Sequence, residues 1–193
     1  MPTNRHAIKA ATDLYASTLV EALANEGGID AVVQARSQIG QVVAYNRSHT
    51  ELLEAMRDPG YTAEQRANLV KEVFAGYQPA LLQVLGVMAE RGEIDLLPRV
   101  LEGFDTQIGK QLNTTVVDVV TRVPLDDHLR EIIKSKTSAD LGKDVVLQEQ
   151  IDPYMLGGIV MSAEGKRIDA SVNTMLEKAR LTLKTTNDGG EQE

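Results

Sequence analysis

The feature that most constrains this chain is a change of residue type at position 114. In TTVVDVVTRV, residues 114 to 123, eight of ten residues are Val or Thr, whose branched β-carbons favour extended backbone. Before that point the apolar residues recur at intervals of three and four. A chain with such a switch is neither a uniform helical array nor a sheet protein throughout. At 193 residues it is long enough for each part to bury a core. The expected fold is α+β: an N-terminal six-helix bundle over residues 1–113, then a small C-terminal α/β domain over residues 114–186. The last residues, NDGGEQE (187–193), predict a disordered tail.

Ile8, Ala11, Tyr15, Leu19, Ala22 and Leu23 form one helical stripe, and the Gly27-Gly28 pair predicts its end. IDAVVQARSQIGQVVAY predicts a second helix. Ser48 to Glu51 has the spacing of a capping box, which would open a short third helix, ELLEAM. After the Asp58-Pro59-Gly60 turn, Thr62 to Gln65 repeats that spacing for a fourth helix running to Gly76. Pro79 suits the first turn of a fifth, PALLQVLGVMAERG, closed by Gly92. Asp95 is the expected cap of a sixth, IDLLPRVLEGFDTQIGKQL, with Pro98 in its first turn, where a missing N–H costs little.

Beyond residue 114, Pro124 ends the first strand and Asp126 is the expected cap of LDDHLREIIKSKTSADL. KDVVLQEQI and LGGIVMSA read as the second and third strands. SVNTMLEKARLTLK closes the pattern as a helix whose Lys178, Arg180 and Lys184 complement the negative end of its dipole.

Composition narrows the chemistry. There is no cysteine, which removes disulfides and thiolate sites, and the natural expectation is an intracellular protein. The net charge of -8 divides evenly, since residues 1–113 and 114–193 each carry ten Lys/Arg and fourteen Asp/Glu. Neither half is a basic module, which argues against nucleic acid as a partner. The opening MPTNRHAIKAATDLY has neither the apolar core of a signal peptide nor the Arg/Ser bias of a transit peptide. No apolar run approaches the ~18 residues of a membrane span. A soluble protein is expected, reaching a membrane only through a partner.

The stretch IDPYMLGGIVMSAEGKRIDAS, residues 151 to 171, tests the one phosphate-loop possibility. Such a loop needs G-x-x-x-x-G-K followed by Ser or Thr, between a strand and a helix. Here Arg167 follows Gly165-Lys166, Val160 occupies the first glycine's place, and the segment links strand to strand. The glycines read instead as turns, with Glu164-Gly165 a tight one, and Asp169 or Ser171 as a helix cap. His6, His49 and His128 lack metal-ligand spacing. Asp126-Asp127 sits at a helix start, and Asp140 and Asp144 flank a glycine turn. Ser162 and Ser171 have no nucleophile-elbow setting. No catalytic, cofactor-binding or metal-binding residue is expected.

The run VVLQEQIDPYMLGGIVMSAEGKRIDASVNTMLEKARLTL resembles the signature region of the delta subunit of F-type ATP synthases, whose mitochondrial counterpart is the oligomycin-sensitivity-conferring protein. The residues that carry the likeness are Ile151-Asp152, Gly157-Gly158, Gly165, Ile168-Asp169-Ala170-Ser171 and Leu176, in the family's order. LLQVLGVMAERGEIDLLPRVLEGF (81–104) is similar to the family's fifth helix, its Gly turn and the start of its sixth, and DLYASTLVEAL to its first. Asp13-Leu14 stand where the family usually has Arg before Tyr-Ala, and Asn173-Thr174 replace basic and small residues.

The resemblance implies a stator, or peripheral stalk, subunit with no active site of its own. It would be present in one copy per complex and link the catalytic head to the b subunits against rotation during proton-driven ATP synthesis. Its helical domain would hold the N-terminal helix of an α subunit between its first and fifth helices, and its C-terminal domain would meet the C-termini of the b subunits. The residues expected at the α-subunit contact are Tyr15, Ala16 and Leu19 on the first helix, and Leu82, Leu85, Val87 and Met88 on the fifth. Without a transit peptide, the expected setting is the cytoplasmic side of a bacterial cell membrane. The competing reading is a general helical adaptor unrelated to ATP synthase.

Overall fold

Two adjacent glycines set the shape of the first helical run. The computed structural model describes residues 3–187. In it α1 (Thr3–Ser48) leaves helical geometry at Gly27 (φ -150°, ψ 15°) and Gly28 (φ 65°, ψ -153°). The second of these conformations is one that side chains avoid. The expected first and second helices are therefore the two arms of one broken run. After it come α2 (Thr50–Ala55), α3 (Ala63–Val73), α4 (Pro79–Glu90), a 3₁₀ turn at Ile94–Leu96 and α5 (Leu97–Gln111). Six helices are not matched one for one: there are five helical runs and a turn, the first of them broken.

Two expected caps are corrected. α1 continues through Ser48, whose hydroxyl donates back to the Ala44 carbonyl, and the N-cap position of the next helix falls to His49. His49 holds the N-cap position of α2 without capping it; its ring Nδ1 instead bonds the Tyr45 carbonyl at 3.1 Å. Asp95 lies inside the 3₁₀ turn and pairs with Arg57 at 3.1 Å, while α5 starts at Leu97 without a side-chain cap. The other box forms as expected: Thr62 accepts from the Gln65 amide at 3.2 Å, and the Gln65 side chain accepts from the Thr62 amide at 2.9 Å. Gly92 (φ 66°) ends α4 in a Schellman turn, with Glu93 N–H donating to Met88 and Gly92 N–H to Ala89.

The chain divides into two compact units between Asn113 and Thr114. Asn113 takes a left-handed conformation (φ 50°) just past α5, a position that Asn tolerates better than most residues. The core of the first unit is sealed: Leu19, Leu23, Ile39, Leu81, Leu85, Met88 and Phe104 are essentially inaccessible. Each such side chain contributes about 1.5–3 kcal/mol by burial. α1 and α5 cross closely at Gly103, where a Cβ would stand 3.3 Å from that of Ala16. A bidentate pair, Arg36 to Asp105, crosses the same two helices. Arg66 on α3 donates to the carbonyls of Ala89 and Glu90 at the end of α4, and to those of Asp58 and Tyr61 in the preceding turn.

The second unit is built from β1 (Thr114–Thr121), α6 (Asp127–Leu141), β2 (Asp144–Ile151), β3 (Gly158–Ala163), β4 (Lys166–Ser171) and α7 (Val172–Asn187). Of the expected tail, 187–193, Asn187 is instead the last residue of α7, and the rest lies outside the described residues. Its sheet runs β2-β1-β3-β4, with β1 and β2 parallel across the α6 crossover and the other pairs antiparallel. Asp126 caps α6, its carboxylate accepting from the Leu129 amide at 2.6 Å. β4 is absent from the sequence reading because KRIDAS has one β-branched residue and three charged ones, the pattern of a protected edge strand. Glu164 (φ 48°) and Gly165 (φ 76°) form the two-residue turn between β3 and β4, with both central residues left-handed as a type I′ hairpin requires. The segment once tested as a phosphate loop is thus the middle of a hairpin.

Candidate partner-binding surfaces

The residues expected to grip an α-subunit helix divide by accessibility. α1 and α4 pack side by side in the first unit. Ala16, Leu19, Leu85 and Met88 point into its core. Tyr15 and Leu82 are half-buried, and Val87 is 43% exposed. The Tyr15 hydroxyl donates to Glu93 at 2.6 Å, and Arg91 donates to the same carboxylate at 3.0 Å, so the Schellman turn after α4 is tied to α1. Burial, then the hydrogen bond to Glu93 and its negative charge, push the Tyr15 phenol up to about 12. Burial opposes ionisation of Glu93, but the hydrogen bonds from Arg91 and Tyr15 outweigh it and hold that carboxyl below the ordinary value. Leu14, 64% exposed, is an apolar α1 residue that sequence reasoning missed. Its signal was its place outside the core-facing series of Ile8, Ala11, Tyr15 and Leu19.

The signature residues of the second unit serve its geometry. Asp152 N–H donates to the Thr121 carbonyl at 2.8 Å and its carboxylate accepts from the Tyr154 amide at 2.9 Å, which turns the chain after Ile151. Gly158 (φ 86°) leaves no room for a side chain, because a Cβ would fall on the Ala170 carbonyl and within 2.8 Å of Ser171 Cα. Val172 packs against Gly157 and its amide donates to the Gly157 carbonyl at 3.0 Å. Ser171 caps α7 by accepting from the Thr174 amide, and Asp169 accepts from the Ser171 amide. The hydrogen bonds from Ser171 hold the Asp169 carboxyl at about 2.

Two apolar surfaces of this unit are left open. One is a cleft of about 870 Å³ between α6 and the β1-β3-β4 face. Leu129 and Ile133 line its helical wall, Ile159, Met161 and Ile168 its sheet wall, and Val117 its floor. The other is a stripe along α7, where Met175, Leu176, Ala179 and Leu183 recur at helical spacing and are exposed. The sequence reading noted the basic residues of that helix and Leu176 as a family position, but not the stripe. Arg130 on α6 makes a bidentate bond to Glu149 on β2, at 2.5 and 3.1 Å, on the side where α6 packs against the sheet.

Two units that each keep apolar side chains within reach of another chain define a protein of the binding and scaffolding class. Residues 11–183 match the family described as ATP synthase delta (OSCP) subunit. The chain is 30% identical over 172 residues to the ATP synthase subunit delta of Erythrobacter litoralis, covering 88% of this chain and 92% of that one. It is 31% identical over 160 residues to that of Citrifermentans bemidjiense, covering 77% and 89%. A chain of the mitochondrial ATP synthase hexamer of Toxoplasma gondii shares the fold, with a TM-score of 0.50 at 15% identity and coverage of 89% and 96%. The chain belongs to the ATP synthase delta (OSCP) subunit family. It is accordingly a non-catalytic peripheral stalk subunit, a peripheral part of a membrane-bound complex. No helix among the described residues is long and apolar enough to cross a membrane.

Proposed function

We propose that the two units divide the stator task. The first holds the N-terminal helix of an α subunit against α1 and α4, and the second meets the C-termini of the b subunits. One copy then joins the catalytic head to the stalk on the cytoplasmic face of a bacterial membrane. The observation that carries the first contact is that α1 and α4 lie together and still leave Tyr15, Leu82 and Val87 accessible. Ala16, Leu19, Leu85 and Met88 act beneath them, fixing the spacing of the two helices. This is helix-in-groove recognition, in which a few apolar anchors enter a preformed surface.

Titration of the whole chain with a peptide from the N-terminus of the same organism's α subunit tests the assignment. Saturable binding is expected, weakened about tenfold by Val87→Glu, since a buried charge at an apolar anchor costs more than 1 kcal/mol. No binding at tens of micromolar, with the C-terminal segment of b also failing, would refute the stator assignment of both units.

A further inference from the structure

The second unit offers two open apolar surfaces, and they are not equivalent. We propose that the cleft between α6 and the β1-β3-β4 face, and not the α7 stripe, seats the stalk partner, as an amphipathic helix whose apolar stripe is flanked by acidic side chains. The inference rests on the reading that this unit meets the b subunits, and adds the surface and the chemistry of the occupant.

Shape is the first ground. The cleft has two walls and a floor, whereas the α7 stripe is the convex side of one helix, lined among the described residues by that helix alone. Leu129 (45% exposed) and Ile168 (60%) stand at opposite lips. A small molecule seated on Val117 would leave both in water; a helix lying along the cleft covers both. The helical wall is attached on the β2 side, where α6 packs on β2 and Arg130 pairs with Glu149.

Charge is the second ground, and it selects the partner. The unit as a whole carries a net -4, yet the charged residues lining the cleft are Arg122, Lys136 and Lys166 against the single carboxylate of Asp140. Arg122 is held by the carbonyls of Met155 and Leu156, which leaves its charge unneutralised. Lys136 and Lys166 make no salt bridge among the described residues, although the Lys166 charge reaches Glu164 in the adjoining turn. An apolar trough with a basic rim in an otherwise acidic unit attracts an acidic amphipathic helix and disfavours a basic one.

The test uses the whole chain and, as probe, a fluorescent peptide of the C-terminal segment of the same organism's b subunit. Ile168→Glu is expected to weaken binding at least tenfold. Lys136→Glu with Lys166→Glu should weaken it further as salt is lowered, reversing the wild-type salt dependence. Leu176→Glu with Leu183→Glu should leave the affinity within about twofold, as expected for residues outside an interface. Because the chain has no cysteine, Ile168→Cys and Leu183→Cys each place one thiol on one surface. The probe should protect the first from alkylation and not the second, a readout independent of any loss of folding. Binding that survives Ile168→Glu, or protection at position 183 alone, overturns the inference and leaves the b-subunit contact standing. A wild-type chain that does not bind the probe at all overturns both.

Discussion

The two units bury their apolar residues to different degrees. In the first, α1, α4 and α5 close over Leu19, Leu81, Leu85 and Phe104 until nothing of them reaches solvent. In the second, Val116, Val117, Val119, Leu125 and Val160 are the buried apolar residues among those described, and neither α6 nor the described part of α7 has a fully buried residue. Both units hold apolar residues at helical spacing, so periodicity is not what differs. In the first unit each stripe meets another stripe, whereas in the second Leu129, Ile168 and Leu183 meet water. A sealed core stabilises a unit by itself; an open one leaves part of that stabilisation to be gained on association.

Substitutions can break or sharpen this contrast. The largest effect is expected from Phe104→Ala, which should cost about 3–5 kcal/mol in a denaturant melt of the helical unit. A loss below about 1 kcal/mol would mean that this core is not sealed. Gly158→Ala should destabilise the second unit by at least about 2 kcal/mol, because a left-handed residue is forced against the β4 backbone. An unchanged melt with native β-sheet circular dichroism would count against that close approach. Tyr15→Phe should cost the first unit about 1–2 kcal/mol near neutral pH through the lost bond to Glu93. The native phenol titrates near 12 against an ordinary 10.0, so its share of stability is fully present below pH 10 and is lost as pH rises through about 12. The gap between the two proteins should close across that window, and a gap that stays constant would remove Tyr15 as its cause. Smallest of all, Ile168→Glu should shift stability by no more than about 0.5 kcal/mol, as for other exposed positions. A drop like that of Phe104→Ala would erase the distinction between the units.

The helical elements were largely legible because their punctuation is local. Gly27-Gly28, Thr62 to Gln65, Pro79 and Gly92 each mark a boundary through their own backbone or side-chain preference, and the structure uses all four. Ser48 and Asp95 were misread because capping also depends on where the neighbouring helix stops, which a four-residue window does not contain. β4 escaped because an edge strand is held by its partner's hydrogen bonds and needs no apolar alternation of its own. The surface residues were hardest to read. Ala16 and Leu19 share a stripe with Tyr15, and only the packing of α5 against α1 decides which of them reach water. The cleft could not be foreseen at all, since its walls come from α6 and from β3 and β4, segments that the sheet topology alone brings to face one another.

Arg66 has a consequence for a part that works beside a proton-driven machine. Its guanidinium grips four backbone carbonyls, with no carboxylate among these partners. A carbonyl has no proton to exchange. The joint that Arg66 makes between α3 and α4 therefore keeps its acceptors through the swings in acidity that accompany proton flow, and Arg66 works as a fastener rather than a sensor.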